Sequence, residues 1–321
     1  MKAAVLHTLG KSPRFEDFPD PDPRSGEARI RVKAASLKNI DRAMANGSHY
    51  DSHTELPVVC GIDGVGILDD GTRVFCGGSR PPYGMMAEYT VVPRGWCLPI
   101  PDGVDDVTAA ALPNPALSSW LPLVWRAQIK PGETVLILGA TGVAGKLAIQ
   151  IARHLGAKRV VAAGRNEQVL KTLADLGADA IIALDQPDQQ LTADFVREAT
   201  HRRFDIILDY VWGHPTEVLL AALTGHNLKA ESSRIRLVEI GEMAGPTISL
   251  SAAALRSSGL ELYGSGGGSV PHTAIFDTFP QLWALAAAGK LRIETEPVAL
   301  ADIERVWLRH DQGGRRVVII P

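Results

Sequence analysis

Three glycines spaced by three, Gly139, Gly142 and Gly145, carry the chemistry most directly readable in this chain. They follow an apolar run, Val135 to Leu138, and precede a helical pattern from Lys146 to Arg153. A strand, a glycine turn and a helix bring backbone close to a phosphate, which the unpaired N–H groups and positive dipole end of the helix then attract. The alternative is a tight strand-to-helix turn that binds nothing; the flanking strand and helix favour a dinucleotide. The pyrophosphate is expected over Gly142, Val143 and Ala144, with Gly139 and Thr141 shaping the turn. About twenty residues past Gly145 lies the place where NAD-binding chains usually carry an acid for the ribose 2′-OH. This chain has Gly164, Arg165 and Asn166 there. An arginine pairs with a 2′-phosphate through two hydrogen bonds, so NADPH is the expected cofactor. The alternatives are a solvated surface arginine at 165 and a plain helix cap at 166.

The elements that must hold this turn alternate. Predicted strands at 159–163, 180–184, 204–209, 235–240 and 260–263 are separated by predicted helices at 167–176, 191–200, 215–223 and 251–257. Short apolar strands between amphipathic helices argue for a parallel sheet covered on both faces. The strand ends offer further cofactor contacts: Ile240 with Gly241, Gly264 with Ser265, and Tyr210 beside the adenosine, or simply a strand exit at 210. Residues 1 to about 110 read as mainly β, with alternating strands, frequent Pro and Gly, and one short helix from Lys38 to Ala45 stopped near Gly47. The tail ends in an apolar strand, Arg316 to Ile320. It either extends the parallel sheet or rejoins the N-terminal β part; pattern alone leaves both open.

The chain has 321 residues, 45% apolar and 21% charged, with a net charge of −3. That suits two domains of ordinary globular composition and gives no electrostatic reason to expect nucleic acid or an anionic membrane. Cys60, Cys76 and Cys97 form no CxxC and are odd in number, so neither a disulfide framework nor a zinc knuckle is expected, and a reducing, cytosolic setting fits. The first residues are too short an apolar run for a signal peptide. Thr108 to Trp125 carries no charge, but Pro113, Pro115 and Pro122 interrupt it, so a buried connector is expected rather than a membrane span.

The ordered segments Ala34–Asp41, Gly61–Gly66, Gly71–Phe75, Tyr83–Tyr89, Ala109–Pro113, Pro131–Val135, Leu176–Asp179 and Gly314–Pro321, together with the glycine turn, resemble the medium-chain dehydrogenase/reductase superfamily. Within it they are similar to the zinc-free, zeta-crystallin-like quinone oxidoreductases. The resemblance implies an α/β fold: a doubly wound Rossmann sheet inserted into a mainly β, GroES-like catalytic domain. The implied divisions are 1–116 and 266–321 for the split catalytic domain and 117–265 for the NADP-binding domain. It also implies a homodimer joined at the edge strands of the nucleotide sheet, near Leu260 to Tyr263.

The zinc-dependent sister branch carries Cys where this chain has Lys38 and His where it has Ile62. Neither residue is an ordinary Zn²⁺ ligand, so no metal is expected. Without a Lewis acid to polarise an alcohol, hydride transfer to an activated acceptor, a quinone or an enone, is the expected reaction. An enoyl or alkenal reductase and a non-catalytic NADPH-binding sensor are the alternatives. Tyr50 resembles a tyrosine placed near the acceptor, and Ser118 a hydroxyl near the nicotinamide. Lys38 stands where relatives usually carry Asn and can contact the cofactor or stabilise a developing anion. Asp41 and Asp63 are expected to hold structure, and Tyr83 and Trp120 either wall the acceptor or pack the core. Val143, where relatives often carry glycine, is the one departure inside the turn.

Overall fold

The structure is a computed structural model that describes residues 1–224, 234–309 and 314–321. It divides into two compact units: residues 1–113 with 283–289 and 293–321, and residues 114–282 with 290–292.

The first unit is built from antiparallel strands. In chain order they are β1 (Lys2–Leu6), β2 (Arg14–Asp17), β3 (Glu27–Ser36), β4 (Val58–Val59), β5 (Asp63–Ile67), β6 (Arg73–Gly77), β7 (Tyr89–Pro93) and β8 (Leu98–Pro99). β3 is the spine. Its first half pairs with β7, its middle with β5 across a register shift between Val32 and Ala34, and its last residues with the C-terminal strand. Its alternating pattern buries Ile30, Val32 and Ala34, as a strand with one covered face requires. The helix Asn39–Asn46 leaves the end of β3 and stops at Gly47, whose left-handed backbone (φ 77°) closes the last turn at no steric cost for a residue without Cβ.

The second unit carries six strands: β9 (Thr134–Leu138), β10 (Arg159–Gly164), β11 (Ala180–Ala183), β12 (Ile206–Asp209), β13 (Ile235–Glu239) and β14 (Leu260–Gly264). All pair in parallel, in the order β11-β10-β9-β12-β13-β14. This is the doubly wound arrangement, whose order reverses beside β9. Every residue of β9 is buried, because helices cover both faces; Leu136, Leu138, Ile207 and Leu237 pack with Phe195 and Leu219 from the helices. Each such side chain contributes about 1.5–3 kcal/mol on leaving water.

The last strands, β15 (Thr295–Ala299) and β16 (Arg316–Ile320), belong to the first unit. β16 pairs antiparallel with β3, Val318 opposite Ser36 and Ile319 opposite Ala35. The C-terminal strand therefore returns to the N-terminal sheet, and the parallel sheet is an insertion. The division differs from expectation at the far join. The segment 266–282 belongs with the parallel sheet, and the change of unit falls at Trp283, inside the helix His272–Ala287. That helix is apolar along much of its length, so its periodicity does not say which unit it packs into.

Two local readings also change. The single helix expected over 167–176 is an α-helical turn, Glu167–Leu170, followed by a 3₁₀ turn, Leu173–Leu176; between them the Thr172 hydroxyl donates to the Val169 carbonyl. The uncharged stretch 108–125 is mostly helical, with a π-helical turn at Pro122–Arg126. Among the described residues no helix is long and apolar enough to cross a membrane.

Candidate functional site

The nucleotide-binding residues proposed from sequence gather at the carboxyl ends of five parallel strands. Gly139 follows β9, Gly164 ends β10 and Arg165 follows it, Tyr210 follows β12, Ile240 and Gly241 follow β13, and Gly264 ends β14 with Ser265 after it. Ligands of open parallel sheets bind at this end, where the strand order reverses.

Each glycine of the turn has a distinct physical reason. Gly139 has φ +86° and lies against Tyr210 and Val211, so a side chain there meets both strain and a neighbour. A Cβ at Gly145 would lie 2.4 Å from the Gly139 carbonyl oxygen and 2.5 Å from Ala140 Cα. The helix can sit this close to β9 only because Gly145 has no side chain. Gly142 differs. It is exposed, has an ordinary φ of −79° as the N-cap of helix Val143–His154, and its added Cβ would meet only the Gly139 oxygen, at 3.4 Å. Nothing in the protein demands glycine there. At Gly264 a Cβ would meet nothing within 4 Å. This open cradle at a helix N-terminus fits a dinucleotide pyrophosphate. Val143, the first residue of the helix, is accommodated with regular helical backbone, so the departure does not deform the turn.

The turn is backed by a polar clamp. The Tyr210 hydroxyl donates to the Ser118 carbonyl at 3.0 Å and lies 2.9 Å from Ser119 Oγ, which in turn bonds the Ala144 carbonyl at 3.1 Å. Burial pushes the Tyr210 hydroxyl above its ordinary range. The Ser118 hydroxyl donates back to Pro115 in its own helix. Asp209, fully buried, accepts from the Val211 and Trp212 N–H groups and the Thr216 hydroxyl, fixing the loop after β12; burial raises its carboxyl. Thr141 packs against Gly164, where a Cβ would come within 2.5 Å of its methyl. Arg165 is exposed, and Asn166 caps its helix through Oδ1 to the Val169 N–H. Trp120 is buried beside His154, which makes it core.

In the other unit, the end of β3, the start of β5 and the start of β16 bring four charges together. Lys38 is 1% exposed. Its Nζ donates to the Ser36 carbonyl (2.9 Å), Ser36 Oγ (3.2 Å) and Asp63 Oδ1 (3.0 Å), and lies 3.5 Å from Asp41 Oδ2. All of its N–H donors are thus matched by acceptors inside the protein, and none is left for a substrate or cofactor. The direct contact expected of Lys38 is therefore corrected to the role of an internal counter-ion. Asp41 accepts from the Lys38 and Ile62 N–H groups, so it holds backbone as expected. Burial raises the Asp63 carboxyl despite the ammonium beside it. Arg316 donates to the Leu37 carbonyl, and burial draws its guanidinium down to about 10.

Asp41 and Ile62 also form part of the wall of a cavity of about 490 Å³, a size that accommodates a small molecule. His53, Asp51, Glu55 and Tyr83 are among its other polar lining residues. Tyr83 is thus a wall residue. Tyr50 is not; it is 78% exposed and its ring stacks on His49 at 4.0 Å. His53 was missed in the sequence. Its signals were membership of the loop 47–55 and the spacing of four from His49.

A doubly wound sheet with a glycine cradle, inserted into a split antiparallel unit, defines a two-domain nucleotide-binding protein of the dehydrogenase type. Residues 143–288 match the family described as zinc-binding dehydrogenase, and residues 24–102 the alcohol dehydrogenase GroES-like domain. The chain belongs to the medium-chain dehydrogenase/reductase superfamily, in its quinone oxidoreductase branch. It is 27% identical over its full length to all of a probable NADPH-dependent quinone reductase from Emericella nidulans. Over 60% of its length it is 27% identical to an NADPH-dependent alkenal/one oxidoreductase of Arabidopsis thaliana chloroplasts, of which it spans 51%. The crystal structure of the quinone oxidoreductase of Thermus thermophilus, also solved with NADPH, superposes over all of both chains with a TM-score of 0.82 at 28% identity.

The two glycines predict opposite phenotypes. Gly145→Ala forces backbone apart and lowers stability by about 1–3 kcal/mol, read as a fall in thermal midpoint. Gly142→Ala changes the midpoint little but weakens dinucleotide affinity at least roughly tenfold by titration calorimetry, because the methyl occupies the phosphate approach. Lys38→Met leaves two buried carboxylates without their cation and costs about 3–5 kcal/mol in denaturant unfolding. Asp63 then holds its proton still more tightly folded than unfolded, so stability is lost as pH rises from the unfolded to the folded pKa. The variant's deficit is therefore greater at about pH 8 than at about pH 5.

Proposed function

We propose that this chain transfers hydride from NADPH to small quinones or conjugated enones without a metal. The observation that supports the reading is the exposed, sterically open Gly142 at a helix N-terminus, on a chain aligned end to end with a probable NADPH-dependent quinone reductase. Gly139, Thr141, Gly142, Val143 and Ala144 hold the pyrophosphate, Ser118 and Tyr210 back the turn, and Ile240, Gly241, Gly264 and Ser265 leave room for the nicotinamide half. Arg165 and Asn166 stand at the 2′-phosphate. NADPH supplies the hydride; the protein positions the acceptor and moves a proton. The ammonium of Lys38 at the position that carries a zinc ligand in the sister branch supports metal independence, because its charge already satisfies the local carboxylates. The cavity of the β unit seats the acceptor.

The protein is read as a homodimer in the cytoplasm. The support for pairing is β14, an edge strand of the parallel sheet with Leu262 exposed on it; such edges call for cover.

NADPH consumption against neutral quinones and enones, in excess chelator, tests the reading. Turnover unaffected by chelator is expected. Cofactor binding with no oxidation across the panel would replace the reductase with a nucleotide-binding sensor, and activity lost to chelator but restored by zinc would remove the metal-free mechanism. Arg165→Ala should lower the NADPH-to-NADH ratio of kcat/KM by about 10- to 100-fold, the usual contribution of a charged hydrogen bond; an unchanged ratio would show that another group reads the phosphate.

A further inference from the structure

We propose that His53 is the proton donor to the reduced acceptor, a catalytic residue lying in the cavity of the β-rich unit. The inference rests on the reductase reading and adds to it the group that completes the reaction.

The geometry is specific. His53 lines the cavity of about 490 Å³ together with Asp41, Asp51, Glu55, Ser52, Thr54 and Tyr83. It is half-buried. Among the described residues neither of its ring nitrogens has a hydrogen-bond partner. Other polar groups of the lining are already engaged: Ser52 Oγ donates to the His49 carbonyl at 2.6 Å, Ser79 accepts from Thr90 at 3.0 Å, and Asp41 holds two backbone N–H groups. Tyr83, whose hydroxyl is turned to the Asp20 carbonyl at 3.4 Å, offers the cavity its ring. Of the side-chain types present, imidazole alone exchanges its proton near neutrality.

The chemistry needs such a group. Hydride arriving at the β-carbon of an enone forms a C–H bond, shifts the alkene pair toward the carbonyl and leaves an enolate oxygen; on a quinone the corresponding product is a hydroquinone anion. The imidazolium N–H bond of His53 then breaks and an O–H bond forms on that oxygen. The imidazole is left neutral and recovers its proton from water. In sum the acceptor gains one hydride from the nicotinamide and one proton from solvent by way of His53.

The electrostatic setting is mixed. Burial draws the imidazole below its ordinary range, and Asp41 opposes this. Asp41 comes from the helix after β3, with Lys38 and Asp63 beside it; Asp51 and Glu55 come from the loop of His53 itself, and Tyr83 from the turn before β7. Lowering makes the imidazolium a stronger acid but less populated at neutral pH. The protonated form is the active one, so kcat falls as pH rises through a midpoint below about 6.5, the ordinary imidazole value.

Two measurements test this. With an enone acceptor, wild-type kcat should decline above that midpoint, and His53→Gln should abolish the inflection and lower kcat about 100-fold in the acid range, a usual effect of removing a positioned general acid. NADPH affinity should be unchanged. In the cofactor-free protein, the imidazole resonance missing from His53→Gln should titrate below about pH 6.5 and shift on adding a hydroquinone. An unaltered pH profile and kcat in His53→Gln, with wild-type turnover intact, overturns the role of His53 alone. A resonance that ignores the hydroquinone also overturns it. Absence of NADPH oxidation by the wild type with every quinone and enone overturns both this inference and the reductase reading.

Discussion

The carbonyl oxygen of Gly139 is the point around which the parallel-sheet unit is arranged. It accepts the Gly142 N–H at 3.0 Å, which turns the chain from β9 into the helix. It also sets how close that helix can come, since a Cβ at Gly145 would fall well inside van der Waals contact with it. The N–H groups of Gly139 and Ala140 both donate to the Ala163 carbonyl, tying the turn to the end of β10. Arg165 is therefore placed relative to the cradle through backbone alone. Behind it, Ser119 and Tyr210 connect the helix before β9, the Ala144 carbonyl and the exit of β12. A phosphate site on such a base is set by main-chain geometry, which explains how Val143 can replace a smaller residue without disturbing it.

Much of this was readable in the sequence for a physical reason. Strands buried on both faces are continuous apolar runs, and their lengths and the glycine punctuation locate them within a residue or two. The pairing of β16 with β3 could not be decided that way, because an apolar terminal strand looks the same in either sheet; only the order of family-like segments pointed to it. The helix His272–Ala287 is likewise apolar enough to serve either unit, and the change of unit at Trp283 falls inside it.

The β-rich site was legible in composition but not in connection. Lys38, Asp41 and Asp63 were each noticed, yet Lys38 was read as a group facing a ligand. Its acceptors explain the difference. Ser36 lies two residues back and Asp63 twenty-five residues ahead, and only the pairing of β3 with β5 makes them neighbours. Tyr50 was singled out by the family resemblance and stands in solvent. His53, four residues from His49, acquires meaning only from the cavity it lines.

Burying Lys38 is not the most stabilising way to fill its space. Replacing a buried ion pair with apolar side chains of equal volume is often neutral or stabilising, so the network is better explained by what it positions. The ammonium is the cation that lies directly beside Asp41, at 3.5 Å, with Arg316 acting on it from further away. Asp41 in turn gathers the N–H groups of Lys38 and Ile62, pinning the start of a helix to the segment Gly61–Ile62. Those same residues, Asp41, Gly61 and Ile62, form one side of the cavity that contains His53. An apolar residue at position 38 would keep its backbone N–H bond to Asp41 but would remove the ammonium that lies beside the Asp41 and Asp63 carboxylates. Lys38 is thus linked to the wall of the cavity through Asp41 and the backbone that Asp41 holds, while its own Nζ is turned to acceptors inside the protein.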